Sequence, residues 1–465
     1  MSRDNPSDIR RADALRNRER ILEAARFVLA QSPTATLAEI AAAAGVSRST
    51  LYRRYADRDE LIAALESRPH EPGVVGREDP LPPGQLGRER PVELDAIHVF
   101  DVVPPPVLPE QLVAEAERIA KVPVALYVLD IDGTHLLRVA GSRRLAEQVR
   151  APLAIGPELD ADGLAQLRQQ LRGMPAAEVF PLWLRGRAIG VLVAFGRPAR
   201  SLVEMARQAA AAITLADRYT DVFAQSQRRK QPKAAAEMQQ SLLPPRVSRV
   251  TGGEVAGNVL PTYEVAGDWF DVVENADGVW VTVADGLGGA TRATASSAVA
   301  LGALRASRRS GAGISEALVV IHQTLREMPG PRAEMTAVVA HWDPVSRDLA
   351  VANCGHVAPV IIRADGGTLD MKFGAGHGLG GRASPKPVER TEVLEPGDRL
   401  VMVSDGVVKD GEGQAGLGVD GLVAAALSSE RATAADTVRK IHTAVLEASE
   451  GKLEDDATAV CLSAE

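Results

Sequence analysis

Hydrophobic residues follow three different rhythms along the 465-residue chain, separated by two stretches with none. In the first block, "RERILEAARFVLAQ" puts Ile21, Leu22, Ala25, Phe27, Val28 and Leu29 on one broad helical face. "TLAEIAAAAGVSRSTLYRRYADRDELIAAL" then predicts a short helix, a turn at Gly45, a second short helix and a third starting near Asp57. Gly45 suits a turn that needs positive φ, and Ser47 can accept a hydrogen bond from the first free N–H groups of the helix it opens.

The middle block changes period. "LPEQLVAEAERIAKV" is amphipathic, "VALYVLDIDG" and "HLLRVAGS" predict strands, two more strands flank Arg185-Gly186-Arg187, and "SLVEMARQAAAAITLADRYTDVFAQS" predicts one long helix. From Ser201 to Leu243, Leu202, Met205, Ala209, Ile213, Ala216, Val222 and Phe223 recur near helical spacing. Such a stripe, with Pro232 as a bending point, is expected to connect the middle and last blocks and to help form a homodimer. His135 stands alone and is expected to be a surface or turn residue.

In the last block an apolar strand is repeatedly followed by carboxylates. Asp268 and Asp271 lie in "EVAGDWFDVV", Asp285 in "VWVTVADG", Asp405 in "DRLVMVSDG", and Asp455 and Asp456 precede a strand in "KLEDDATAVCL". The Pro/Gly-rich segment from Ser67 to Leu94 has no period and predicts a linker, and Pro232 with Pro244-Pro245 marks a second break. The expected organisation is a helical domain at 1–66, a linker at 67–94, an α+β domain at 95–225, a linking helix at 226–248 and a final domain at 249–465.

Composition narrows the function. With 45% hydrophobic and 25% charged residues the chain is ordinary globular protein, and a formal charge of -8 confines any nucleic-acid contact to one module. Cys354 and Cys461 form no C-x-x-C, which leaves neither a readable zinc site nor a disulfide framework and fits a reducing cytosol. The first twenty residues lack a signal-like apolar core, and no run approaches the roughly 18 apolar residues of a span, so a cytoplasmic protein with no membrane contact is expected. Carboxylates at strand ends can converge at one sheet edge, where they repel unless a cation compensates. An all-oxygen set favours Mg²⁺ or Mn²⁺ over zinc.

The last block resembles the metal-dependent protein phosphatases (PPM family), in particular the SpoIIE and RsbU branch. The resemblance rests on G-D-W-F-D at 267–271, D-G-x-G at 285–288, Met335-Thr336, N-x-G-H at 353–356, G-D-R-L at 397–400, S-D-G at 404–406 and D-D-x-T at 455–458, and on "MQQSLLPP" ahead of them. It implies an α/β/β/α sandwich and hydrolysis of phosphoserine or phosphothreonine with two Mn²⁺ or Mg²⁺ ions. Carried over, Asp285 bridges the ions, the Gly286 carbonyl joins one, and Asp405 and Asp455 complete the other. Asp268 acts through an ion-bound water, with Asp271 and Asp456 in support. Asn353 to His356 is expected to be a turn holding a hydrogen-bonded core histidine. Two departures stand out: Gly289-Ala290 after D-G-x-G, and Lys409-Asp410 where relatives often carry an acid, which brings a positive charge near the site.

The first block resembles the DNA-binding domain of TetR-type repressors through Ala44–Ser47, Thr50–Tyr52, Tyr55 and Arg58. That resemblance implies a recognition helix with Arg48, Ser49, Thr50, Tyr52 and Arg53 facing duplex DNA and Arg58 near a phosphate. The order of the middle block resembles a GAF sensor domain with an unknown small-molecule ligand. The function expected is a regulated protein serine/threonine phosphatase acting on a phosphorylated anti-anti-sigma-type protein in partner-switching signalling. The alternative is a TetR-like transcriptional regulator with a ligand-responsive GAF domain, whose phosphatase domain is a scaffold.

Overall fold

The computed structural model describes residues 103–465, apart from 142, 144–145, 153, 172–176, 230–232, 262–266, 289, 375 and 412–413, together with Ala25, Ile40, Tyr55 and Leu61. Those four side chains are buried, and Ala25, Ile40 and Leu61 are helical, as the first rhythm predicts. The expected DNA contacts at Arg48, Ser49, Thr50, Tyr52, Arg53 and Arg58 lie outside the described residues, as do the linker at 67–94, Pro232 and Gly289. The chain divides into two compact units, residues 1–88 and 89–465.

The middle block opens with helix α1 (Leu108–Ala120) and strands β1 (Val124–Leu129), β2 (His135–Gly141) and β3 (Gln148–Arg150). Helix α2 (Ala161–Leu171), strands β4 (Ala177–Leu184) and β5 (Arg187–Phe195), and helices α3 (Val203–Ala216) and α4 (Val222–Ser226) follow. The strands form one antiparallel sheet in the order β3-β2-β1-β5-β4. Helices α1 and α3 cover one face and α2 the other. Covered on both sides, β1 is apolar at every position rather than alternating. Asp130 ends it and accepts hydrogen bonds from the backbone of Thr134 and His135, so His135 stands at the turn into β2.

The stripe expected to form a homodimer is used inside this domain. Leu202, Met205, Ala209, Ile213, Ala216 and Phe223 pack with Leu112, Leu126 and Phe180 in a single core. The long helix also divides after Ala216, which lets Phe223 fold back into that core. Burial within the domain already satisfies the apolar face of these six residues.

Beyond helix α5 (Ala234–Leu242), strands β6 (Val247–Val250), β7 (Gly253–Leu260), β8 (Trp269–Asn275) and β9 (Gly278–Leu287) lead to helices α6 (Ala290–Arg309) and α7 (Ile314–Glu327). Next come β10 (Glu334–Trp342), β11 (Asp348–Cys354), β12 (Val360–Ile362), β13 (Thr368–Asp370), β14 (Val388–Val393) and β15 (Arg399–Val403). The one-turn helix α8 (Asp405–Val408), a hairpin of β16 (Asp410–Gly411) and β17 (Gln414–Ala415), helices α9 (Gly418–Leu427) and α10 (Ala434–Ala448), and β18 (Ala457–Ala464) complete the chain. Two sheets result, β14-β11-β10-β9-β8 and β13-β12-β15-β18-β7-β6. Between them Val281, Val283, Val338 and Val351 meet Leu400, Met402, Val460 and Leu462. Helices α6 and α7 cover the outer face of the first sheet, and α9 and α10 that of the second.

Candidate active site

The two-residue period of the strands decides which acids meet. In β9, Val281 and Val283 face the other sheet while Trp280 and Ala284 face the helices, so Asp285 extends the inter-sheet face past the apolar core. At the start of β8, Phe270 faces inward and Trp269 outward, which sends Asp268 inward and Asp271 outward. The same alternation in β15 and β18 turns Ser404, Asp456 and Thr458 into the gap between the sheets. One end of the sandwich thereby becomes lined with carboxylates.

Close backbone packing fixes the loops that carry them. The Gly286 N–H donates to the Gly267 carbonyl at 3.2 Å, and Ser297 Oγ donates to the same oxygen at 2.7 Å. A Cβ on Gly267 would lie 2.2 Å from the Gly286 carbonyl oxygen, and one on Gly406 would lie 2.2 Å from that of Asp456. These two glycines of the G-D-W and S-D-G motifs are therefore required by packing.

Asp268 is buried, as is Asp456 beside it. Thr458 Oγ1 donates to its Oδ2 at 2.5 Å, and Ser404 Oγ receives the Thr458 N–H at 3.0 Å. Gln239, on α5, donates from Nε2 both to the Asp268 carbonyl at 2.9 Å and to Asp456 Oδ2 at 2.7 Å. Burial, reinforced by Asp285 and Asp456, pushes the Asp268 carboxyl well above the usual carboxylate range despite hydrogen bonds from Ser404 and Thr458. Burial, with the charges of Asp405 and Asp455, pushes Asp285 up to about 7, while a hydrogen bond from Asp268 and the charge of Lys409 pull the other way. Both acids are thus displaced upward together, by burial first and by their acidic neighbours second.

Asp405 and Asp455 stand at the more open rim. Lys409 Nζ lies 2.6 Å from Asp405 Oδ2 and 3.6 Å from Asp455 Oδ2. Among the described residues, no three acidic, histidine or cysteine side chains close on a single point as a ready-made ion cage. The donor chemistry is nonetheless that of a hard divalent ion: oxygen ligands only, with mutually repelling charges.

Asp271 is a correction to the expected ligand set. Arg305 Nη2 lies 2.9 Å from its Oδ1 and Arg308 Nη1 3.0 Å from its Oδ2, so both oxygens are held on the helix-facing side of the sheet, away from the cluster. Asn353 and His356 form a turn in which Asn353 Oδ1 accepts the His356 N–H at 2.9 Å and Nδ2 donates to the His356 carbonyl at 3.1 Å. The His356 ring meets Thr336 Oγ1 through Nδ1 at 2.8 Å, and burial brings its pKa down to about 4. Sequence reasoning assigned no role to Gln239, Ser404, Thr458, Arg305 or Arg308. Ser404 and Thr458 stood inside quoted motifs and Gln239 inside "MQQSLLPP", whereas nothing in "LRASRR" marks the arginines that hold Asp271.

The last block is thus a two-sheet sandwich flanked by helices, with acids gathered at one end between the sheets. Residues 275–465 match the family model of stage II sporulation protein E (SpoIIE), and residues 21–65 that of the bacterial regulatory proteins of the tetR family. The chain thus carries a SpoIIE-type PPM phosphatase domain behind a tetR-type helix-turn-helix domain. Over 67 residues it is 49% identical to the HTH-type transcriptional repressor LfrR of Mycolicibacterium smegmatis, a match to 14% of this chain and 35% of the repressor's length. Similar solved structures include the RsbU and RsbW domains of Rv1364c from Mycobacterium tuberculosis, at 23% identity over 48% of this chain and 63% of that one, with a TM-score of 0.40. The SiaA-PP2C domain of Pseudomonas aeruginosa is similar at 21% identity over 45% and 85% of the two chains, with a TM-score of 0.39. No helix among the described residues is long and apolar enough to cross a membrane.

Proposed function

We propose that this protein is a Mg²⁺- or Mn²⁺-dependent protein serine/threonine phosphatase, regulated through its middle domain and acting on a phosphorylated anti-anti-sigma-type protein in partner switching. The observation that carries this reading is the convergence of Asp268, Asp285, Asp405, Asp455 and Asp456 at one end of the sandwich, with Asp268 and Asp285 displaced upward by burial and by their acidic neighbours. A protein has little use for such repulsion unless a cation enters. In this reading Asp285, the Gly286 carbonyl, Asp405 and Asp455 hold two ions. When bound, the ions supply polarisation of the phosphoryl oxygens and a lower water pKa. Thr458 and Ser404 orient Asp268 beside Asp285. Gln239 ties α5 to Asp268 and Asp456, and Glu237 on the same helix pairs with Arg228, two residues past the end of α4, which supports a route for regulation from the middle domain.

The test is dephosphorylation of a phosphoserine protein in saturating Mn²⁺. Asp285→Asn should lose on the order of a thousandfold in activity, because a carboxylate that would hold the ions is removed while the fold is kept. Wild-type turnover by Asp285→Asn would overturn the assignment.

A second activity is supported by the tetR-type match at residues 21–65: binding of duplex DNA through Arg48, Ser49, Thr50, Tyr52, Arg53 and Arg58. The full chain should retard a genomic fragment at low salt and lose it steeply as salt rises, since neutralised phosphates release counterions. Failure to select any DNA from a genomic pool would leave the module as a protein-contact domain.

A further inference from the structure

The helix that carries Asp405 is a single turn, and its last backbone bond runs from the Lys409 N–H to the Asp405 carbonyl at 2.7 Å. Four residues along a helical turn bring side chains to the same face. The Lys409 ammonium accordingly returns to Asp405, at 2.6 Å, and reaches Asp455 on the neighbouring chain segment, at 3.6 Å. The hairpin beyond it restrains this backbone: a Cβ on Gly416 would lie 1.9 Å from the Lys409 carbonyl oxygen, and the Leu417 N–H donates to the Val407 carbonyl at 2.8 Å. The ammonium is thus held over the two rim carboxylates by local geometry.

We propose that Lys409 is an internal counter-ion of the Asp405–Asp455 pair, which a divalent ion must displace before it can use these two carboxylates. The inference rests on the reading of Asp405 and Asp455 as ion-binding residues. It divides the site into two unequal parts. The ammonium of Lys409 touches the rim carboxylates, Asp405 and Asp455, and acts on Asp285 in the deep part only at longer range. A dication approaching the rim meets an ammonium at contact distance from its ligands and must drive it into solvent, where its side chain, 40% exposed, has room to go. Ions therefore enter in sequence, the deep position first and the rim position at higher concentration. The lysine is a positioning and gating residue, and its charge, rather than its shape, sets the affinity of the rim.

The test is Mn²⁺ titration of the full chain by calorimetry and by the signal of free Mn²⁺ in electron paramagnetic resonance, with no substrate present. Wild type should show one tighter and one weaker binding event. Lys409→Gln should tighten the weaker event by about tenfold or more, and Lys409→Arg, which keeps the charge, should leave it weak. Thermal unfolding gives a second readout. In chelator, Lys409→Gln should melt below wild type because Asp405 and Asp455 are left uncompensated, and added Mn²⁺ should raise its midpoint by more than it raises the wild type's. Equal Mn²⁺ affinities for wild type and Lys409→Gln would overturn the role of Lys409 and leave the metal assignment standing. Binding of no Mn²⁺ by any of the three proteins would overturn both.

Discussion

Asp268 and Asp271 have the same side chain three residues apart and end in opposite electrostatic states. Asp268 lies between the sheets among other acids, where burial and their charges push its carboxyl upward, whereas Asp271 lies on the outer face between two guanidinium groups. Identity is a poor guide here, because the surroundings decide whether a carboxyl is a repelled neighbour or half of an ion pair. Histidines follow the same logic. His442, 7% exposed on α10, is brought down by burial to about 4 from an ordinary value of 6.5. Because the folded state holds this ring neutral, its contribution to stability is complete above pH 6.5 and is lost as pH falls toward 4. The expected loss between pH 7 and 5 is roughly 2 kcal/mol from this ring. Urea unfolding of the wild type and His442→Gln in chelator checks it: the difference between the two proteins should shift by that amount across the interval. Parallel pH profiles for the two proteins would rule the ring out as the source.

At the level of elements, the periods were legible and their ends were not. Apolar runs marked β1, β9 and β15 because a strand buried against packed layers must be apolar at most positions. The division of the predicted long helix into α3 and α4 had no local signal, since residues 201–226 contain neither Gly nor Pro. Tertiary packing sets it: Phe223 gains a place in the core that also holds Met205 and Ile213, and a straight helix would carry it past that core. For the same reason a helical period reports that a face is buried and says nothing about which chain buries it. The motif glycines are a mixed case. D-G and S-D-G read as turns, but the need for glycine at 267 and 406 comes from backbone belonging to distant segments, Gly286 and Asp456.

Across the unit formed by residues 89–465, buried charges join the middle domain to the phosphatase sandwich. Glu158 pairs with Arg187 at 3.0 Å and accepts the Val247 N–H at 2.9 Å, while Arg439 of α10 reaches Asp160 at 2.8 Å. Burial pushes Glu158 upward, against the pull of Arg187, and lowers Arg246 to about 10. Burial is the larger influence on both groups, so each depends on its partner to stay charged at the junction of the two domains. Glu158→Ala leaves Arg187 and Arg246 buried without their carboxylate and should cost about 3 kcal/mol or more. Chemical denaturation followed by tryptophan fluorescence checks this, and an unchanged midpoint would show that the junction opens to water. None of these pairs is visible in the chain, where their members lie 29 to 279 residues apart.

By itself the sequence determined the helix-turn-helix pattern, the periods of the strands, the placing of carboxylates at strand ends and the presence of a lysine beside S-D-G. All of these are local, because side-chain chemistry and two- or four-residue spacing need no partner to be read. The tertiary structure decided that Asp268 joins the cluster while Asp271 leaves it, that Gln239 reaches across to Asp456, and that the ammonium of Lys409 bridges Asp405 and Asp455. Each of those depends on which face of a strand meets which neighbour, and that is settled only when β8 and β9 of one sheet close over β15 and β18 of the other.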